Sequence, residues 1–161
     1  MHEADNGGEN ILVDGFNIAQ KFKEKCPEGY KFFSKIPMCC EYIHTKTEPK
    51  EHYYSSDTIF KHDPFDPTKL VQFRYNVYDR APHQMGLEDQ RSLYRYLPQL
   101  AKEVQDESNG YWFKLKPGTV LLVDNWRVMH GRNGFTGKRI MSGCYALRDD
   151  YMSTAKSLGL A

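Results

Sequence analysis

Val120-Leu121-Leu122-Val123-Asp124-Asn125-Trp126-Arg127-Val128-Met129-His130-Gly131-Arg132 is the stretch from which the rest of the chain is read. A four-residue apolar run delivers a polar turn, and the turn delivers a short strand ending in His130-Gly131-Arg132. Arg139 lies nine residues beyond His130, and Tyr145 six further. That spacing sets Arg139 and Tyr145 on one face if residues 139–147 form a single strand. A guanidinium pairs bidentately with a carboxylate, and an imidazole is the commonest metal ligand, so the group suits a site for a metal and a dicarboxylate. The competing reading of His130 is a packing or hydrogen-bonding residue at a strand rim. The other histidines, His2, His44, His52, His62 and His83, lie in loops or at strand ends amid polar residues, where solvation is the default.

The composition narrows the field around that stretch. A chain of 161 residues with 40% apolar content fits one domain with an ordinary core. A net charge of +1 gives no general electrostatic case for nucleic acid or an anionic membrane, and no apolar run is long enough to span a bilayer. Aromatic residues reach 14%, with 11 Tyr and 9 Phe, which predicts an aromatic core with wet tyrosine edges. Cys26, Cys39, Cys40 and Cys144 form no C-x-x-C pair, so neither a zinc site nor a disulfide framework is indicated, and reduced thiols are expected. No secretory or transit signature is visible at the N-terminus.

Taken in order, Gly7-Gly8 leads into a strand, Glu9 to Asp14, and a buried strand this close to residue 1 raises the expectation of sequence upstream. Asp14 caps a helix with Phe16, Ile18, Ala19 and Phe22 on its apolar face. Pro27 opens a second short helix, Met38 to Ile43 is a strand, and Thr45 to Ser56 reads as a polar loop or hairpin tip. Thr58 to Phe60 is a brief strand. Leu70 to Tyr78 alternates, with Gln72, Arg74, Asn76 and Tyr78 on a polar face that either lines a pocket or meets solvent. Leu87 to Glu107 is a helix in which Pro98 predicts a kink or a division into two. Strands are expected over Tyr111–Leu115, Thr119–Val123, Trp126–Met129 and Arg139–Leu147, before a terminal helix opening at Arg148-Asp149-Asp150. Asp124 is expected to fix the turn before Trp126.

Many short strands with helices inserted between strand groups point to a mainly β fold with helical insertions, an antiparallel sandwich or barrel. No Gly-x-Gly-x-x-Gly and no phosphate-binding loop is present. Iron(II) sites of the two-His, one-carboxylate type need ligands on one face of the metal. His62-Asp63 and His2-Glu3 are adjacent pairs that alternate to opposite faces on a strand, and no His-x-Asp or His-x-Glu occurs, so the ligand set is incomplete.

Three strings, Gly7 to Phe16, Phe73 to Arg80, and Asp124 to Arg132 through Tyr145, resemble the trimethyllysine dioxygenases. These are iron(II) and 2-oxoglutarate oxygenases whose near relatives are the γ-butyrobetaine dioxygenases. Phe135-Thr136-Gly137 and the ending Arg148 to Leu160 favour the trimethyllysine branch, and the resemblance runs over essentially the whole chain. It implies part of a double-stranded β-helix (jelly roll) that hydroxylates trimethyllysine at C3 in carnitine biosynthesis. Iron(II), 2-oxoglutarate and oxygen would be used, with ascorbate as helper. By the resemblance His130 is an iron ligand and Arg139 the partner of the 2-oxoglutarate distal carboxylate. Tyr145 is an aromatic wall beside the quaternary ammonium, and Asn76, with Arg74 or Tyr75, meets the substrate's polar end. It also implies that the His-x-Asp ligands and an N-terminal domain precede residue 1, so residues 1–161 are the C-terminal part of a TauD/TfdA-like catalytic domain. A homodimer of the full-length enzyme is expected, in the mitochondrial matrix, or in the cytoplasm if the chain starts at Met1. The alternatives are a γ-butyrobetaine hydroxylase and a non-catalytic module lacking the His-x-Asp ligands.

Overall fold

The computed structural model describes residues 6–46, 48 and 50–160, so the His2-Glu3 pair and the N-terminal signature lie outside the described residues. The elements in chain order are β1 (Asn6–Gly7), β2 (Asn10–Asp14), α1 (Gly15–Lys25), α2 (Pro27–Phe33), β3 (Met38–His44), β4 (Glu51–Asp57), β5 (Phe60–His62), β6 (Leu70–Phe73), α3 (Leu87–Gln105), β7 (Gly110–Phe113), β8 (Val128–Arg132), β9 (Phe135–Thr136) and α4 (Arg148–Ser157). A 3₁₀ turn over Glu107–Asn109 links α3 to β7. The mainly β class with helical insertions holds. The described strands fall into four small antiparallel sheets, of which the three-stranded one, ordered β7-β2-β8, carries the candidate site.

Asp14 ends β2 and starts α1, because its carboxylate accepts the first helical amide hydrogens from Phe16 and Asn17 at 3.0 and 3.4 Å. α1 then buries Ile18, Ala19 and Phe22 and places Lys23 and Lys25 in its last turn, where cations complement the helix dipole. Pro27 begins α2 with φ pre-set for a helix. Phe22, Phe33 and Phe60 meet with ring centroids 6.0–6.4 Å apart, Phe73 stacks on Phe60 at 5.4 Å, and Ile18 and Leu100 complete the buried centre. Tyr30 stacks on Phe60 while its hydroxyl bonds His62, so the tyrosines do form wet edges to an aromatic core.

Four expectations need correction. The division into two helices at Pro98 does not occur: α3 is one helix over Leu87–Gln105, and the lost backbone bond is outweighed where Leu93 and Leu100 are buried against the core and Glu103 is held by Lys25 at 2.8 Å. Thr45 to Ser56 is not all loop, because β4 pairs with β3 over its whole length, with Tyr42 opposite Tyr53. The strand expected over Leu70–Tyr78 stops at Phe73: its amide donates to Trp126 O, Arg74 N makes a last bond to Ile59 O, and the chain then turns at residues 77–79. Thr119–Val123 and Arg139–Leu147 form no ladder, and Val120 and Leu122 are each 91% exposed. An apolar run signals a strand that expects a partner, and among the described residues these two segments have none. Among the described residues no helix is long and apolar enough to cross a membrane.

Candidate functional site

The site is built on the turn that joins residue 123 to β8. Asp124 fixes it as the sequence predicts: its carboxylate accepts from Trp126 N at 3.0 Å, and its carbonyl accepts from Arg127 N and Val128 N. Arg127 then reaches back to Asp14 through Nε and Nη2, at 3.1 and 2.6 Å, forming a two-pronged pair. That guanidinium holds the Asp14 carboxyl below the usual carboxylate range, against the raising effect of partial burial. Gly15 N donates to Arg127 O at 2.9 Å, and a Cβ at Gly15 would lie 2.6 Å from that oxygen and 2.5 Å from Phe73 Cδ1. No side chain fits there. Arg148 closes the turn from above, over the Trp126 ring at 4.3 Å.

β8 leaves this anchor and pairs with β2 in a register that sets His130 opposite Leu12 and Arg132 opposite Asn10. Residues directly opposite in an antiparallel pair share a face. Ile11, Val13 and Met129 therefore turn to the core, while Asn10, Leu12, His130 and Arg132 share the other face. His130 is exposed there. Arg139 joins the same face through Asn10, its Nη2 donating to Asn10 Oδ1 at 3.2 Å. The Asn10 amide nitrogen is buried with no hydrogen-bond partner among the described residues. An unmet buried donor costs roughly 1–3 kcal/mol, so the Asn10–Arg139 pair is a place where an acceptor, above all a carboxylate, would be bound. The sequence reading did not name Asn10. Its signal was a polar residue at a position that the register turns away from the core of an otherwise apolar strand.

An open cavity of about 910 Å³ lies alongside, walled by β3, β4 and the 72–80 segment. His130, Tyr145, Arg74 and Asn76 line it; Arg139 does not. Arg74 donates to Ser55 Oγ at 2.9 Å. Most of the Asn76 side chain is used locally: Oδ1 accepts from Tyr78 N and Asp79 N, and Nδ2 donates to Asp79 Oδ2 at 2.6 Å. Its part in the site is thus to shape the turn over residues 76–79. Tyr145 stands 99% exposed on a segment that is no strand, so the expected single strand bearing Arg139 and Tyr145 is absent, and the ring is no part of a closed cage. His83, also on the wall, accepts Cys39 N–H at Nδ1, and burial, then Arg80, pushes its pKa below the usual imidazole value.

Among the described residues no three His, Cys, Asp or Glu side chains converge as they would on a metal ion. His62 bonds Tyr30, and Asp63 accepts the amides of Phe65 and Asp66, so the His62-Asp63 pair is occupied structurally. The described residues thus offer His130 as a single donor and do not by themselves fit an iron(II) site, which takes three protein ligands.

The trimethyllysine dioxygenases of Bos taurus and Homo sapiens, both designated mitochondrial, are each 41% identical to this chain over 160 residues. The alignments take in 99% of this chain and 38% of those proteins, so the chain spans less than half the length of the curated relatives it matches. A γ-butyrobetaine dioxygenase of Homo sapiens is a more distant relative, 26% identical over 94% of this chain. Residues 1–145 match the model of the taurine catabolism dioxygenase TauD, TfdA family, and the chain belongs to that family.

Proposed function

We propose that the chain is part of an iron(II)- and 2-oxoglutarate-dependent dioxygenase that hydroxylates N6,N6,N6-trimethyllysine, as in carnitine biosynthesis, with ascorbate keeping the iron reduced. One observation carries the reading: on the β7-β2-β8 sheet His130 shares a face with Asn10, which binds Arg139 and keeps a buried N–H that has no partner among the described residues. Arg139 pairs with the distal carboxylate of 2-oxoglutarate, and Asn10 Nδ2 donates to the same group. His130 is the one iron ligand that the described residues contribute. The second His and the carboxylate come from polypeptide outside the 161 residues, as do the strands that complete a jelly roll. Tyr145 stands on the quaternary-ammonium side of the cavity, and Arg74 and the turn set by Asn76 meet the substrate's polar end. The mitochondrial naming of the relatives supports a mitochondrial location, and we propose the matrix as the compartment and a homodimer as the state of the full-length enzyme. Replacing His130 with Ala in the protein is expected to abolish the hydroxylated product, followed by mass spectrometry; undiminished product would sink the assignment.

A second reading is favoured by the incomplete ligand set: the 161-residue chain alone is a non-catalytic module. Iron(II) titration of the purified chain separates the two. Weak binding, well under one equivalent at micromolar iron, fits the module, whereas tight stoichiometric binding contradicts it.

A further inference from the structure

Among the described acidic residues lining the cavity, Glu41 and Asp57 are ion-paired, while Asp79 and Glu107 are not, and of these two Asp79 is the half-buried one with an oriented carboxylate. Asp79 sits half-buried on its wall, and its main chain is fixed from two sides, its carbonyl accepting Glu41 N at 2.8 Å and its own N–H turning to Asn76 Oδ1. The Asn76 amide steadies the carboxylate by a 2.6 Å bond to Oδ2. A carboxylate has about four acceptor sites, and among the described residues one is used. Among the described residues Asp79 makes no ion pair, although Arg74 and Arg80 line the same cavity; Arg74 is turned to Ser55 instead. Tyr42, Tyr54, Tyr75 and Tyr78 line the remaining wall, and aromatic faces attract cations. An oriented, unpaired carboxylate among tyrosine rings is a receptor for a primary ammonium group.

We propose that Asp79 is a specificity-determining residue that binds the α-ammonium group of an amino-acid substrate, and so selects trimethyllysine over quaternary-ammonium acids that lack an amino group. This rests on the hydroxylase reading above and deepens it. The competing role for Asp79 is to close the 76–79 turn. Asp79→Asn keeps that role, since an amide oxygen still accepts from Asn76 Nδ2, and removes only the charge.

The test measures dissociation constants on the 161-residue protein by ligand-observed NMR, for trimethyllysine and for 6-(trimethylammonio)hexanoate, the same molecule without its α-amino group. A charge-assisted hydrogen bond corresponds to about a tenfold preference or more for the amino acid. The expected result is that the wild type shows this preference and Asp79→Asn abolishes it while holding the hexanoate unchanged. Equal weakening of both ligands in Asp79→Asn would mean a collapsed turn and overturns the proposal, as does a preference that survives the substitution. A wild type that binds the two equally, or neither, also overturns it; the hydroxylase reading is then judged separately by the His130→Ala product assay.

Discussion

At the scale of single residues, two side chains do more than the sequence announces. Asp14 was legible as a helix cap from its place before Phe16, but its clamp on Arg127, 113 positions away, was not, because the pairing exists only once β2 and β8 are in register. Asp14→Ala is expected to cost about 1–2 kcal/mol in urea unfolding, mostly from the lost cap, since the exposed ion pair adds little. The folded-state pKa of Asp14 is depressed, so its stabilisation is present above the unfolded value of 3.8 and is lost as pH falls below it. Asp14→Asn therefore flattens part of the acid limb of the stability profile; an acid limb identical to wild type would contradict the clamp. Asn10 was missed for a similar reason. Its polarity within an apolar strand was legible, but nothing local marks it as the neighbour of Arg139, 129 positions away, or shows that its amide nitrogen is buried without a partner among the described residues.

At the scale of elements, local chemistry read well and partnerships read badly. The α1 face, the Pro27 start of α2, the Asp124 turn and the span of α4 all follow from capping, proline and periodicity, which act within a few residues. β4 was hidden because its residues are polar and mostly exposed, and its strand character comes from pairing with β3. At Pro98 the sequence left a division into two helices open that does not occur. The cost of an interior proline is set locally, but α3 is held by Leu93 and Leu100 in the core, and that packing decides. Leu100→Ala is accordingly expected to destabilise the fold by about 2–5 kcal/mol, seen as a lowered denaturation midpoint with unchanged slope. A loss under about 0.5 kcal/mol would show that α3 is not fastened to the Phe22–Phe33–Phe60 centre.

At the scale of the whole molecule, the core is closed on the helical side and open on the site side. Among the described residues Val120, Leu122 and Tyr145 stand exposed on segments that join no ladder. Such exposure promotes association, so Val120→Thr combined with Leu122→Thr is expected to reduce self-association of the 161-residue chain in sedimentation velocity without lowering its melting temperature. A fall in melting temperature would mean that the two side chains are packed after all. The family was legible because the Asp124 to Arg132 string and its distances to Arg139 and Tyr145 are carried by the chain itself; that the 119–123 and 139–147 segments join no ladder among the described residues was not, since pairing is decided by distant strands rather than by local pattern. The central claim is that one sheet face holds both the imidazole and the anion-binding end of a 2-oxoglutarate site. The most direct measurement is steady-state hydroxylation of trimethyllysine by the protein with 2-oxoglutarate varied, in wild type, His130→Ala, Arg139→Gln and Asn10→Asp. The account predicts no turnover for His130→Ala and a KM for 2-oxoglutarate raised about tenfold or more in the other two; KM values matching the wild type in both Arg139→Gln and Asn10→Asp would contradict it.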